Sequence, residues 1–440
     1  MLQTTPHRGL PRLREVLMDN RSWAGSAGDG RSAELPYDLL IKGGHVLDPG
    51  QNIDGVMDIG VNGTKIAAVE PNIDASQAAR VIEVKGQHRC VTPGLIDIHT
   101  HVAYGATTAG VGMGCCDPDQ VGVHAGVTTV LDCGSVGIAN IGVMRHHVIP
   151  NAKTRIVTFV NVGSYAHTMP GWADVRALDD VDAKAIASCI EANPGLIKGF
   201  KLRMVGPVAQ NQSRELVNLC KSISHEHHLP FMVHIGDARA EDYNKASTAT
   251  RYLLDSFEPG DILTHLATPN PGGVMADEAR TSPVAELQEA RNRGVVLDPA
   301  LGAGNFGFDL CRTQADIGLY PDTISSDLTA GGRGRIVYSL MECMGRFMAA
   351  GYTVADMVRM STANAAKALG LQDDLGAIKV GMEADITILD VAKGKWGFVD
   401  TVQKQFTGET ALAPVLTVKA GEVYTPDWGP HAWGWLPPEA

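Results

Sequence analysis

Hydrophobic and polar positions fall into distinct regimes along the chain. Residues 1–36 are rich in Gly, Ser, Arg and Pro and show no period, which predicts a mostly irregular lead-in. From Tyr37 onward short apolar runs alternate with Gly- and Asn-containing turns. Tyr37–Asp48 reads as two short strands around Gly43-Gly44. Val56–Val61 and Lys65–Val69 read as a hairpin about Asn62-Gly63-Thr64, and Val81–Val84 as one more strand. Together these predict a small antiparallel sheet. At Arg89 the pattern changes, and β-type runs begin to alternate with amphipathic stretches. The runs are Cys90–His99, Thr128–Leu131, Ile156–Val162, Ile197–Lys201, Phe231–His234, Ile262–His265, Val295–Asp298 and Thr323–Asp327. Asp180–Asn193, Ser213–His228 and Ala285–Arg293 are helical stretches between them. Such an alternation predicts an α/β architecture, a parallel (β/α)8 TIM barrel. An open doubly wound sheet fits less well, because no Gly-rich dinucleotide turn follows the first run.

Helical periodicity continues over Ile336–Ala350 and Val354–Leu369, and strand patterns return at Ala384–Leu389 and Val415–Lys419. Sheet edges seek partners, so the late strands are expected to join the early ones. The expected division is a lead-in over 1–36, a small composite β-sandwich domain from 37–88 plus 376–425, a barrel over 89–375, and an aromatic, Pro-rich tail over 426–440.

Of the 440 residues, 44% are hydrophobic and 20% charged, the balance of a soluble globular protein. Lys+Arg total 37 against 49 Asp+Glu, and the net charge of −12 argues against nucleic acid as a partner. No apolar run approaches the ~20 residues of a membrane span. The basic N-terminus (His7, Arg8, Arg12, Arg14) lacks the apolar core of a secretory signal. Eight cysteines, with no CxxC pair, suggest reduced thiols and a cytoplasmic location.

Six residues stand out by position. His99, His101, Lys201, His234, His265 and Asp327 each end a predicted barrel strand, the end that forms the active face of such barrels. His99-Thr100-His101 places two imidazoles at i and i+2, on one face of a strand, where both can bind one ion. Lys201 ends the apolar run Leu196–Phe200. A lysine there either snorkels to the rim or is neutralised, because a buried unpaired ammonium is costly.

The motifs Pro93-Gly-Leu-Ile-Asp-Ile-His-Thr-His101, Gly126-Val-Thr-Thr-Val-Leu-Asp132, Gly199-Phe-Lys-Leu-Arg203, Val233-His234, Thr264-His265, Pro321–Asp327, Thr362–Gly370 and Gly376–Asp385 resemble those of the amidohydrolase superfamily. The similarity covers about residues 37–425 and lies in the binuclear branch, nearest the amidohydrolase/deacetylase metallohydrolases. The resemblance implies two divalent ions, best matched by Zn²⁺. His99, His101 and Asp327 would hold the more buried ion and His234 and His265 the more exposed one. Lys201, carboxylated by CO₂, would bridge them. It implies hydrolysis of an amide or ester by a metal-bridging hydroxide, with Asp327 shuttling the proton. N-acyl-amino-acid (or acyl-hydroxy-acid) deacylation is the leading expectation, and cyclic-amide opening of the dihydroorotase or hydantoinase type the alternative. A non-catalytic scaffold is disfavoured because all six ligand types are in place. A small acylated, anionic substrate and a homo-oligomer are also expected.

The pattern departs from the subgroup after His265, where Leu266-Ala-Thr-Pro-Asn270 follows, and after Asp298, where Pro-Ala-Leu-Gly-Ala-Gly304 follows. Asn161, Tyr165 and His167 are candidate pocket residues. Arg203, two residues beyond Lys201, is a candidate for a substrate carboxylate, with Arg333 and Arg335 as competitors; pairing with a structural carboxylate is the competing role for Arg203. Cys133 has a small-core reading beside a metal-bridge one. His225-Glu-His-His228 lacks HExxH spacing and precedes its strand, which favours a solvated helix end. Cys115-Cys116 lies near the expected mouth without a supporting spacing.

Overall fold

The computed structural model describes residues 35–86, 88–106, 114–163, 166–168, 173–276, 280–334 and 336–426. The lead-in as far as residue 34 and the tail from 427 lie outside the described residues. One sheet comprises β1 (Tyr37–Asp48), β2 (Ile53–Asn62), β3 (Lys65–Glu70), β4 (Ala78–Glu83), β5 (Arg89–Pro93) and three late strands described below. The hairpin of β2 and β3 turns at Gly63-Thr64, within the expected Asn62-Gly63-Thr64 stretch, with Asn62 paired to Lys65 and Gly63 at φ 56°. The Gly43-Gly44 pair does not turn the chain. β1 is one strand whose register slips between Ile41 and Gly44, with Gly43 at φ 69° and its N–H given to Asp58 Oδ1. The slip forks the sheet: β1 pairs with β4 through Tyr37–Lys42 and with β5 through His45–Val46, both in parallel. The sheet is therefore mostly, not wholly, antiparallel, and one forked sheet stands where two separate sheets of a sandwich were expected.

The run Cys90–His99 also divides. β5 belongs to the first sheet, while β6 (Leu95–Thr100) opens a second one. The crossing point is Gly94. A Cβ there would lie 2.3 Å from Thr128 Oγ1, and its N–H donates to the Asp385 carbonyl at 2.7 Å. The chain passes between the sheets at a spot with no room for a side chain.

The second sheet continues through β7 (Val127–Cys133), β8 (Arg155–Asn161), β9 (Ile197–Arg203), β10 (Phe231–His234), β11 (Ile262–Thr264) and β12 (Val296–Asp298). All seven strands are parallel and adjacent in sequence order. Helices Ala183–Ala192, Ser213–His227, Tyr243–Ser256 and Ala285–Arg293 lie between later strands; Asp182 and Asp242 cap the first and third. The eighth run, Thr323–Asp327, makes no regular strand. Its backbone still bonds to both sides: Leu301 and Gly302 donate to the Ser325 and Ser326 carbonyls, Asp327 donates to His99 O, and His101 donates to Leu328 O. Its hydroxyls bond to buried carboxylates, and Asp327 has φ 53°, which interrupts a ladder.

Val354–Leu369 is two helices, Val354–Ser361 and Ala363–Ala368, broken at Thr362. β13 (Ile386–Val399), β14 (Gln405–Lys419) and β15 (Glu422–Tyr424) complete the first sheet, with β13 antiparallel to β5. The late strands thus join the early ones, but β13 and β14 run further than their apolar pattern predicted, since Lys393-Gly-Lys395 interrupts it. Past Asp390 they form a free-standing arm that covers helix Leu340–Ala349, with Phe398, Ala411 and Leu412 against Met344 and Phe347. At its tip buried Asp400 accepts backbone N–H groups from Phe308, Val402 and Lys404, and Thr401 exchanges bonds with Phe306. Among the described residues no helix is long and apolar enough to cross a membrane.

Asp400→Ala would strand the buried Phe308 N–H and loosen the tip. The expected loss is about 1–3 kcal/mol of unfolding free energy, read from urea denaturation.

Candidate metal centre

A parallel sheet brings the C-terminal ends of its strands to one edge, and that edge gathers all six candidate side chains. His99 sits near the end of β6 and His101 just beyond it. Lys201 lies on β9, His234 closes β10, His265 follows β11, and Asp327 ends the segment beside β6. Asp327 Oδ1 lies 3.2 Å from His101 Nε2 and 3.4 Å from His99 Nε2, and its Oδ2 is 4.0 Å from His265 Nε2. Lys201 Nζ lies 3.0 Å from His99 Nε2, and the His234 and His265 rings are 4.1 Å apart. One ligand atom from each of His99, His101 and Asp327 falls within 4.8 Å of the others, a cluster that fits a metal site. His265 and Asp327 both adopt left-handed backbone, φ 75° and 53°, a conformation that costs free energy and recurs at functional sites.

The hydrogen-bond partners determine which ring nitrogen carries the proton. His265 Nδ1 faces the Ala300 carbonyl at 2.6 Å, and a carbonyl only accepts, so Nδ1 holds the proton. Its buried Nε2 is left with a lone pair and no hydrogen-bond partner. His234 is reversed: Nε2 faces the Gly236 carbonyl, leaving Nδ1 for a ligand role. His99 Nδ1 bonds Thr264 Oγ1 and His101 Nδ1 bonds Ser135 Oγ, both at 2.9 Å. Burial holds His99, His101 and His234 well below the usual imidazole value and brings His265 down to about 4. Neutral imidazoles with an inward lone pair are what a divalent ion binds. Burial raises the Asp327 carboxyl, while His265 and Lys201 pull it back. Around Lys201 Nζ lie Cys133 Sγ at 2.9 Å, Met232 Sδ at 3.7 Å and His99, a poorly solvating setting for an ammonium.

Several supporting residues were not among the candidate site residues. Asp97 accepts from the Ser326 hydroxyl, from Ser326 N and from His99 N, tying the two ligand-bearing segments together; burial pushes it up to about 7. Asp298 accepts from Thr264, Thr323 and Ser325, and burial pushes it up to about 6 against those bonds. Gly302 backs directly onto Asp327: a Cβ there would sit 2.1 Å from Oδ2, and its φ is 57°.

The pocket candidates are placed as follows. Arg203 Nη1 donates to Asp174 Oδ1 at 3.2 Å, and Asn161 Nδ2 donates to the other oxygen of Asp174 at 3.0 Å. Both therefore lean on a carboxylate that sequence reasoning did not single out. The His167 ring lies 3.8 Å from that of His101 and is buried. Tyr165 and Arg335 lie outside the described residues, and Arg333 bonds Gln120. Burial pushes the Cys115, Cys116 and Cys133 thiols up to about 12. His225–His228 ends its helix ahead of β10, at the opposite end of that strand from His234, with His225 paired to Glu258.

The model of the amidohydrolase family matches residues 90–424, three-quarters of the chain. A deacetylase of Enterococcus faecalis is 28% identical over 89% of this chain and 100% of its own. A deacetylase of Brucella anthropi is 28% identical over 78% of this chain and 81% of its own. Among solved structures, an adenine deaminase aligns with TM-score 0.78 at 28% identity, covering 88% of this chain and 100% of that one. A dihydroorotase aligns with TM-score 0.75 at 26% identity, covering 88% and 99%. The chain belongs to the amidohydrolase family and is a hydrolase of carbon–nitrogen bonds.

Gly302→Ala is expected to push the Asp327 carboxylate off the two Nε2 atoms it faces. Turnover should fall by at least about tenfold, a loss a small misplacement produces, as measured by kcat alongside metal content.

Proposed function

We propose that this chain is a binuclear metal hydrolase that removes the acyl group from an N-acyl amino acid or acyl hydroxy acid. The observation that carries this is the convergence of four neutral imidazoles, each with its outer nitrogen held by a carbonyl or hydroxyl, around Lys201 and Asp327. The deacetylase relatives favour acyl transfer to water. The dihydroorotase likeness favours cyclic-amide opening as the second reading.

In this reading His99, His101 and Asp327 hold one ion and His234 and His265 the other. Zn²⁺ suits such imidazole and carboxylate donors. Lys201, carboxylated on Nζ, becomes a shared anion, consistent with the poor setting its ammonium would have beside two sulfurs. Bound divalent ions would lower the pKa of a water and polarise the scissile carbonyl. Asp327 takes the proton from the attacking water and returns it to the departing nitrogen or oxygen. Asp97 and Gly302 keep that carboxylate in place. Buried Arg203 is the candidate for a carboxylate on the substrate, held in position by Asp174, while Asn161, His167 and Tyr165 complete the pocket wall.

The architecture we infer is a (β/α)8 barrel closed by the segment ending in Asp327, which bonds to β6 on one side and to the chain after β12 on the other. The division into lead-in, composite β-domain over 37–88 and 376–425, barrel over 89–375 and tail remains our reading, as do a homo-oligomer and a cytoplasmic location. Eight unpaired cysteines favour the last.

The test is a screen of N-acyl amino acids of both hands, O-acyl hydroxy acids and cyclic imides with metal-replete enzyme. Turnover of the acyclic substrates supports the proposal, and ring opening alone would replace it with the second reading. Lys201→Ala is expected to lose most activity and to regain part of it with short carboxylic acids; a fully active variant rules out the bridge. Asp327→Asn is expected to keep substantial metal yet lose about 10²–10⁴ in kcat, measured beside metal content by mass spectrometry.

A further inference from the structure

Each histidine of the His99-Thr100-His101 pair has a hydroxyl behind its ring, and for His99 that hydroxyl also meets a buried carboxylate. Thr264 Oγ1 lies 2.9 Å from His99 Nδ1 and 2.9 Å from Asp298 Oδ2. Ser135 Oγ lies 2.9 Å from His101 Nδ1, and the Ser135 backbone N–H donates to Asp132 Oδ1 at 3.0 Å. Asp132 and Asp298 both lie at the ends of parallel strands, β7 and β12, and both are fully buried. A hydroxyl has one proton. Where a carboxylate takes that proton, the oxygen faces the imidazole as an acceptor.

We propose that Asp298 is a positioning residue for His99, acting through the Thr264 hydroxyl to hold the ring with its proton on Nδ1 and its lone pair on Nε2. The inference rests on the reading of His99 and His101 as metal ligands. Asp298 Oδ2 and His99 Nδ1 are 3.9 Å apart, too far for a direct hydrogen bond, so the coupling runs through Thr264. The orientation of that hydroxyl is over-determined. Thr323 Oγ1 and Ser325 Oγ also donate to Asp298, so its carboxylate is surrounded by donors and offers Thr264 only an acceptor. With the proton of Thr264 committed, Nδ1 can bond only as a donor. The opposite tautomer would place a hydrogen on Nε2, against Asp327 and Lys201, where a cation must bind. Groups behind metal-bound histidines commonly contribute 10- to 100-fold to affinity.

The test uses the full chain, as wild type and as Asp298→Asn, Thr264→Val and Thr264→Ser. Ring-nitrogen NMR of the metal-free protein reads the tautomer directly. Wild type and Thr264→Ser should show the His99 proton on Nδ1, and Thr264→Val should shift it at least partly to Nε2. Zinc affinity, from competition with a chelator, should fall about 10- to 100-fold in Asp298→Asn and Thr264→Val, and recover to within about threefold of wild type in Thr264→Ser. If Asp298→Asn does not fold, the two Thr264 variants carry the test. Folded Thr264→Val with wild-type tautomer and zinc affinity overturns the proposal, as does an Nε2 proton on His99 in the wild type. Absence of zinc binding by wild type with the Nδ1 tautomer intact would instead reject the metal reading and leave the relay standing.

Discussion

Burying imidazoles and carboxylates together at one sheet edge imposes the constraint on which the rest of this molecule depends. A buried ring that is to stay neutral needs a partner for its one proton, and a buried carboxylate needs donors. Each demand is met by a specific group. Ala300 and Gly236 offer carbonyls to His265 and His234. Thr264 and Ser135 offer hydroxyl oxygens to His99 and His101. Asp298 accepts the hydrogen bond that the Thr264 hydroxyl donates, and Asp132 accepts from the Ser135 backbone N–H. The result is a floor on which the outward nitrogens are spoken for and the inward ones of His99, His101 and His265 face Asp327.

The same constraint explains the irregular segment before Asp327. A regular strand would commit its backbone to a ladder and alternate its side chains across it. Here Thr323, Ser325 and Ser326 direct their hydroxyls to Asp298 and Asp97. The left-handed turn at Asp327 aims its carboxylate at three imidazoles. Gly302 yields the space that carboxylate occupies. Regularity is given up where site geometry is worth more, the usual place for strain.

The strand ends and their His, Lys and Asp residues were legible in the sequence because each closes a short apolar run, and parallel strands put such ends on one edge. The joining of early and late strands was legible because the edges of a small sheet seek partners. What was not legible has a common cause. Gly43-Gly44 reads as a turn by local chemistry, but the pairing of β1 with β2 makes it a slip in register. Cys90–His99 reads as one strand, since its pattern cannot reveal that Pro93-Gly94 passes from one sheet to another. Asp97 sits in the Pro93–His101 motif and Asp298 ends a predicted strand, yet only long-range contacts give them and Asp174 their roles. Arg203 was legible as a buried cation near the mouth, but not its bond to Asp174, whose position is set by a loop.

That contrast separates the floor of the site from its wall. The floor is made by strands packed on both faces, so its chemistry follows from a pattern of short range. The wall is made by loops, and one is held by a segment about 95 residues away: Asp400 and Thr401, at the tip of the β13–β14 arm, bind Phe306 and Phe308. Directly before these lie Gly302, against Asp327, and Asn305, which bonds Thr268 and Asn270. The loops after β11 and β12 are therefore tied to each other and to the arm. They are also where the chain departs from the pattern its metal-site motifs resemble. Substitutions in the arm can thus reach the wall and, through the Ala300–Gly302 stretch behind His265 and Asp327, the floor as well. The arm is coupled to the site through loops, the part of a fold that tolerates variation best.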